Sequence, residues 1–222
     1  MNHRILVLVV FALSFFNGCG EDNSTNPIDI KNGTVKIGTQ VWMLKNLDVD
    51  HYRNGDSIPE VRDSLLWKNL TSGAWCYYNN DPANGAVYGK LYNWYAVNDP
   101  RGIAPSGWHV PSFQEWDILT KYLGGKAGCG AKLKEQGILH WNSPNEGSTN
   151  SSGFSALPGG KRISDWEEYY IFGSLGYFGS WWTSNDNGEE RTYIRFLSYS
   201  DSLFFHNFGD LEDGYSVRCI KD

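Results

Sequence analysis

The chain has 222 residues, 41% of them hydrophobic, and a formal net charge of −6. This length is enough for one domain with a sizeable core, and the hydrophobic content excludes a disordered or fibrous chain. The acidic balance makes nucleic acid a poor partner, because binding to phosphates needs clustered Lys and Arg. The 25 glycines and the 15% aromatic content favour short strands joined by ordered loops.

The N-terminus has the pattern of an export signal. An apolar run from Ile5 to Leu13, extending to Phe16, is too short to span a membrane as a helix. The small residue Gly18 directly before Cys19 resembles the bacterial lipobox, in which the signal is cleaved and Cys19 carries the lipid. Phe16 departs from the Leu usual at its position, and an ordinary secretory peptide or an uncleaved anchor is the alternative.

Three segments are therefore predicted: a lipoprotein signal peptide at 1–18, a flexible polar tether at 19–33 and one domain at 34–222. The acidic leader after Cys19 resembles the surface-export signal of lipoproteins in the Bacteroidetes group. We expect a protein that is lipid-anchored in the outer membrane and exposed at the cell surface. The membrane, reached through the N-terminal lipid, is its first expected partner.

In the first half of the domain, two alternating runs within Thr34–Met43 predict a hairpin. Polar turns from Asn54 to Leu70 predict a loop with at most one helical turn. Trp75–Tyr78 has the composition of a strand, and Asn79–Gly85, NNDPANG, that of the turn after it.

The clearest helix signal begins at Ser112. Its hydroxyl can cap the first turn, while Glu115, three residues later, can reach back to the Ser112 amide. The residues behind this capping box predict a buried face and a stop: Trp116, Leu119 and Leu123, then Gly124 and Gly125.

In the second half, Ala131–Glu135 predicts a second short helix, and His140–Gly153 a loop. Alternating residues in Thr192–Leu197 and Ser202–Phe205 predict another hairpin, and Ser216–Ile220 a last strand. No internal repeat and no second boundary are visible, so one domain is the economical interpretation.

Few residues suggest chemistry. His109 lies alone in an aromatic loop and is interpreted as structural, and no catalytic residue or metal ligand is predicted. NNDPANG lacks the ligand spacing of a calcium loop. No cofactor is predicted. Calcium is the one ion considered, because one local group of polar residues could bind it: Asp186, Asn187, Glu189 and Glu190.

Aromatic rings supply the candidate ligand-binding residues. Trp181 and Trp182 are adjacent on a predicted strand, so one should face inward and leave the other, taken as Trp182, a candidate for stacking. Trp166 and Tyr169 lie in the acid-bearing stretch Ser164–Tyr170, which we expect to be the most variable loop.

Several blocks together identify a family. WMLKNLDV, GIAPSGWHVPSFQEW, NSSGFSALPGGKR and GYSVRCIKD occur in an order that resembles the Fibrobacter succinogenes major paralogous domain family, over about Val35 to Asp222. The resemblance implies an α+β fold of the C-type lectin-like group. Such a fold has two helices, small antiparallel sheets, long ordered loops, and N- and C-terminal strands that pair.

The cysteines are considered against this resemblance. Three remain after Cys19, which allows one disulfide and one thiol in an exported protein. Many relatives have cysteine where this chain has Ala104, so a different pairing is implied. The expected disulfide joins Cys76 to Cys219 and leaves Cys129 free.

The expected function is a non-catalytic binding or adhesion module for a carbohydrate or a cell-envelope protein. A structural envelope protein without a small-molecule site is the first alternative. A metal-dependent oxidase of the formylglycine-generating type, which the fold group includes, is the second. It is disfavoured because such enzymes need a cysteine pair or a His-rich metal site, and the sequence offers neither pattern.

Overall fold

A computed structural model of the chain describes residues 28–164, 171–186, 188 and 190–222. This part is an α+β structure of short helices and small antiparallel sheets. The strands are β1 (Ile28–Asp29), β2 (Thr34–Ile37), β3 (Gln40–Met43), β4 (Trp75–Cys76), β5 (Leu91–Tyr92), β6 (Trp108–His109), β7 (Gly159–Arg162), β8 (Phe172–Leu175), β9 (Phe178–Trp182), β10 (Arg191–Ser198), β11 (Phe204–Asp210) and β12 (Ile220–Lys221). The α-helices are α1 (Ser64–Lys68), α2 (Pro82–Tyr88), α3 (Trp94–Val97), α4 (Phe113–Tyr122) and α5 (Lys126–Leu133), and a 3₁₀ turn covers Tyr78–Asn80.

The first sheet joins the two ends of the domain. Its strand order is β1-β2-β3-β12-β6, and the predicted hairpin is formed by β2 and β3. Ile220 of β12 pairs with Trp42 on one side and His109 on the other. The C-terminal strand β12 therefore pairs with the N-terminal hairpin through β3, which agrees with the pairing of the chain ends that the family resemblance implied. The sheet also begins earlier in the chain than expected, because β1 lies within the predicted tether, 19–33, and pairs with β2.

The second sheet has the order β11-β10-β9 and contains the other predicted hairpin. β10 and β11 pair from Arg191 with Asp210 to Leu197 with Phe204. Helix α4 covers one face of this sheet, where Arg195 of β10 forms an ion pair with Asp117 of α4. The opposite face lies open to form the cleft described below.

Helix α4 confirms the capping prediction. The Ser112 hydroxyl accepts a hydrogen bond from the Glu115 amide, and the Glu115 carboxylate accepts one from the Ser112 amide. Gly124 and Gly125, with φ of 96° and 93°, end the helix in a conformation that suits glycine.

The structure differs from two predictions, the turn at NNDPANG and the number of helices. NNDPANG is not simply a turn, because helix α2 begins at Pro82 with the Asp81 carboxylate accepting from the Ala83 amide. Proline is well tolerated in the first turn of a helix, where its missing N–H has no partner to lose. The described residues also contain five α-helices rather than two, although only α4 reaches ten residues.

An aromatic cluster forms the centre of the core. Trp116 of α4 lies 4.6 Å from Trp42, 5.5 Å from Phe204 and 6.2 Å from Trp181, measured between ring centroids. Trp42 belongs to the first sheet, and Phe204 and Trp181 to the second. The helix therefore holds the two sheets together through ring contacts, which dominate core energetics where they are fully buried.

Buried cations tie long loops to this core. The Lys134 ammonium donates to the carbonyl oxygens of Glu146, Ser198 and Asp201, at 2.9, 3.0 and 2.8 Å. Burial lowers the pKa of Lys134 to about 8, against the opposing effect of Asp201 and Glu146. Arg162 is likewise buried and donates to three carbonyl groups, those of Val61, Arg62 and Asp63. Main-chain oxygens thus accept from the Lys134 ammonium and from both terminal nitrogens of Arg162, whereas Arg162 Nε has no hydrogen-bond partner among the described residues.

The disulfide prediction is corrected by the structure. Cys76, Cys129 and Cys219 are all free and buried. Each belongs to a different hydrophobic cluster: Cys76 packs with Trp67, Cys129 with Trp116, and Cys219 with Val217. The three thiols serve as small apolar core residues, a common role for free cysteine.

We expect these thiols to be unreactive in the native protein. Burial raises the pKa of Cys76 and Cys129 to about 11 and that of Cys219 to about 12. A chromogenic thiol reagent added without reductant to a Cys19→Ser chain should titrate almost nothing under native conditions and three thiols in denaturant. Fewer than three thiols in denaturant would restore the disulfide.

Candidate binding cleft

Some of the predicted site residues lie outside the described part of the chain, and the others are buried. Cys19, Trp166 and Tyr169 lie outside the described residues. Trp182 is fully buried: its indole N–H donates to the Tyr92 carbonyl at 2.7 Å, and its ring contacts Tyr215 at 4.8 Å between centroids. Trp181 is buried as well, so both faces of β9 are covered at its end and the expected outward ring is absent. Trp182 is a core residue.

An open cleft of about 460 Å³ lies on the sheet face opposite helix α4. Strands β9, β10 and β11 form its floor, and the β7–β8 hairpin contributes Lys161 and Ser174 to its side. Strand register places Phe196 of β10 opposite Ser180 of β9, and Ile194 opposite Asn207 of β11. Alternate residues of three strands therefore point into one cavity.

A row of partly exposed phenylalanine rings crosses this sheet face. Phe178 lies 5.9 Å from Phe196 in an edge-on arrangement, and Phe196 stacks on Phe205 at 4.9 Å with an interplanar angle of 14°. Each ring comes from a different strand, so the sheet fixes their spacing. Such a row gives this sheet face a broad, partly exposed apolar surface.

The floor of the cleft carries a fixed acid. Asp213 is 6% exposed, and its carboxylate accepts from the Ser164 amide at 3.0 Å, the Ser164 hydroxyl at 3.1 Å and the Tyr215 hydroxyl at 3.0 Å. Burial raises the pKa of Asp213, partly offset by the hydrogen bond from the Ser164 amide. The acid is thereby held in one orientation as a hydrogen-bond acceptor.

The rim adds charges of both signs. Arg191 and Asp210, directly opposite each other on β10 and β11, form an ion pair at 2.6 Å and remain about half exposed. Lys161 and the exposed amide of Asn207 also line the cleft. The cavity combines an apolar row with several donors and acceptors, and its charge is balanced.

The described residues at the start of the stretch predicted to be most variable lie beside this cleft. Ile163, directly before the stretch, lines the cavity. Ser164, its first residue, donates a hydrogen bond from its amide to Asp213. The Ile163 amide donates to the Ile171 carbonyl at 2.8 Å, which brings the two ends of the stretch together. The first residue of the stretch, Ser164, therefore lies at the cleft, while residues 165–170 lie outside the described part.

His109 is held between two carboxylates. Its Nδ1 lies 2.7 Å from Asp222 and its Nε2 lies 2.7 Å from Glu115. Burial alone would lower the pKa of His109, but the hydrogen bonds to Asp222 and Glu115 outweigh it and raise the pKa. Both ring nitrogens join β6 to α4 and the C-terminal residue, an arrangement that fits the structural role predicted for His109.

The His109 contact predicts a pH-dependent contribution to stability. A raised folded-state pKa stabilises the protein below the unfolded value of 6.5, and this contribution is lost as the pH rises through the folded value. We expect His109→Gln to lower the melting temperature more at about pH 5.5 than at about pH 8.5. Because the side chain is 39% exposed, the effect should be about 1 kcal/mol or less. An equal loss at both pH values would contradict the pairing.

The acidic group considered for calcium is only partly described. Asp186 accepts from the Asn98 side chain at 2.9 Å and from the Gly188 amide at 2.8 Å, while Asn187 and Glu189 lie outside the described residues. Within the described ranges, no group of three or more His, Cys, Asp and Glu side chains is placed to hold a metal ion. No helix there is long and apolar enough to cross a membrane.

Sequence reasoning missed the residues that build the cleft. The alternation in Thr192–Leu197 already placed Ile194 and Phe196 on one face, but the pattern alone gives no sign that this face is open. Asp213 lies before the predicted last strand, Ser216–Ile220, and the sequence analysis did not single it out.

The fold and cleft define a small α+β domain with an open cavity on one face of its second sheet. The chain belongs to the Fibrobacter succinogenes major domain family, whose model matches residues 35–221. No curated protein and no solved structure matches the chain.

Proposed function

We propose that this protein is a lipid-anchored, non-catalytic binding module that displays its cleft at the outer-membrane surface and takes carbohydrate as its ligand. The observation that carries the proposal is the phenylalanine row of Phe178, Phe196 and Phe205 beside the polar end at Asp213. The lipid at Cys19 would keep this face near the cell envelope.

The chemistry of the cleft favours carbohydrate. A sugar ring has apolar C–H faces that stack on aromatic rings and hydroxyl groups that need donors and acceptors at its edge. The Asp213 carboxylate, the Asn207 amide and the Arg191–Asp210 pair supply such groups. The balanced charge suits a neutral ligand better than a strongly ionic one.

A C-type lectin-like fold is part of the proposal. Paired terminal strands, small antiparallel sheets and ordered loops support it. Lys134 fits this view, because its ammonium joins two loop carbonyl groups and that of Ser198, at the end of β10, at one point, as a bound cation would. A cell-envelope protein is the alternative ligand, and a structural envelope role without a ligand is the alternative function.

Replacing Phe196 with alanine is expected to weaken glycan binding at least tenfold, because it removes the ring that contacts both neighbours in the row. A stacking contact contributes about 0.5–1.5 kcal/mol beyond the apolar area that the ring buries, which adds about 1 kcal/mol or more, and a tenfold change is about 1.4 kcal/mol. Binding of wild type and variant to a glycan array, followed by titration of the strongest hit, measures the effect.

The matched control is Tyr122→Ala, which removes an exposed ring from helix α4, on the other side of the second sheet. It should bind as wild type does. If no glycan binds the wild-type protein, or if both variants bind equally well, the carbohydrate proposal is wrong. Capture of an envelope protein through the same cleft would favour the alternative ligand.

A further inference from the structure

A second cavity, of about 260 Å³, is distinct from the cleft and shares no lining residue with it. Four aliphatic side chains line most of it: Ile28, Leu44, Val87 and Leu157. They come from β1, from the residue after β3, from α2 and from the segment before β7. The cavity therefore has an apolar wall built by segments distant in sequence.

A buried guanidinium lies in this wall. Arg218 is 1% exposed; its Nε donates to the Asn46 side chain, and its Nη1 donates to the carbonyl oxygens of Met43, Leu44 and Phe154. No hydrogen bond joins Nη2 to an acceptor in the described part of the chain, and no described carboxylate pairs with Arg218. A buried cation without a counter-anion is costly, and an anion that enters the cavity would relieve that cost.

The remaining charges at this cavity leave it positive. Lys45, which is exposed, lines the cavity and forms no ion pair with a described residue. Glu135 also lines it, but its carboxylate is engaged by His140 Nδ1 at 2.8 Å. Among the described residues that line the cavity, the one acid therefore has a partner of its own, while Arg218 pairs with no carboxylate.

We propose that this cavity binds a short aliphatic monocarboxylate. The carboxylate would accept a hydrogen bond from Arg218 Nη2, and the hydrocarbon chain would lie against Leu44, Val87 and Leu157. A guanidinium is well suited to a carboxylate, since its N–H groups match carboxylate geometry and the pairing is charge-assisted. The volume lies below the usual range for drug-sized ligands, which favours a chain of about six carbons.

The test is a titration of the full chain, carrying Cys19→Ser, with hexanoate. Hexanol and hexylammonium, with the same chain and a neutral or cationic head, are the matched probes. We expect saturable binding of hexanoate by saturation-transfer NMR and calorimetry, and at least tenfold weaker binding of the other two. Equal binding of hexanol would show an apolar cavity without anion recognition and would overturn the proposal, as would no binding of hexanoate.

Variants locate the binding. Arg218 donates hydrogen bonds to three carbonyl groups, so replacing it could unfold the protein. Val87→Asp instead places a carboxylate at the cavity mouth, on a residue that is partly exposed. It should weaken hexanoate binding at least tenfold. Ile118→Asp makes the same change at a similarly exposed residue of α4 and should leave binding unchanged. Hexanoate binding that Val87→Asp does not weaken would place the ligand elsewhere and refute this site.

Discussion

Replacing Trp116 with alanine should lower the free energy of unfolding by about 3–5 kcal/mol, the range for deleting a fully buried large aromatic side chain. Trp116 is fully buried and lies between rings of both main sheets. Its loss would leave a cavity that neither sheet can close, because each is fixed by its own strand pairing. Urea unfolding followed by circular dichroism measures the change.

The control for this variant is Tyr122→Ala on the same helix, where the ring is 52% exposed. Both substitutions place alanine in α4, so their effects on helix propensity are similar. A loss below about 1 kcal/mol for Trp116→Ala, or one equal to that of the control, would show that this aromatic cluster does not hold the sheets together.

Replacing Lys134 with methionine is expected to cost about 2–3 kcal/mol. Methionine keeps most of the apolar stem but leaves three carbonyl groups, those of Glu146, Ser198 and Asp201, without their donor. Each lost bond costs about 1 kcal/mol or more, and release of the desolvated ammonium offsets part of the sum.

Lys121→Met, an exposed lysine of α4, is the matched control for Lys134→Met and should change stability by less than about 0.5 kcal/mol. Hydrogen exchange adds a local measurement: amides of Glu146 and Thr149, which bond to Tyr199 and Ala131, should lose protection in Lys134→Met. Unchanged protection and unchanged stability would show that the lysine is not a loop anchor.

Local signals in the sequence predicted the local parts of the fold. The capping box at Ser112 and the hairpin of β2 and β3 depend on residues within a few positions of each other. The interacting residues can therefore be recognised in one short stretch of sequence. Local signals can also be ambiguous, as NNDPANG shows. Pro82 is compatible with a turn and with the first position of a helix, and the residues that follow it determine which one forms.

The candidate site was harder to predict because it depends on non-local packing. Alternation along β9 implies that Trp181 and Trp182 point to opposite faces, but Tyr215 covers the face that would otherwise expose Trp182. The cleft exists because β9, β10 and β11 place Phe178, Phe196 and Asn207, which are distant in sequence, on one face of the sheet. No single segment contains that register. The disulfide prediction failed for the same reason, since Cys76 and Cys219 pack in separate clusters.

The most direct measurement of the proposed function is an NMR titration of the isotope-labelled protein with the strongest glycan from the array. We predict chemical-shift changes at amides of β9, β10 and β11 around Ser180, Phe196 and Asn207, with no changes around His109, and their loss in Phe196→Ala. Shift changes that fall away from this sheet face, or that persist unchanged in Phe196→Ala, would contradict carbohydrate binding in the cleft.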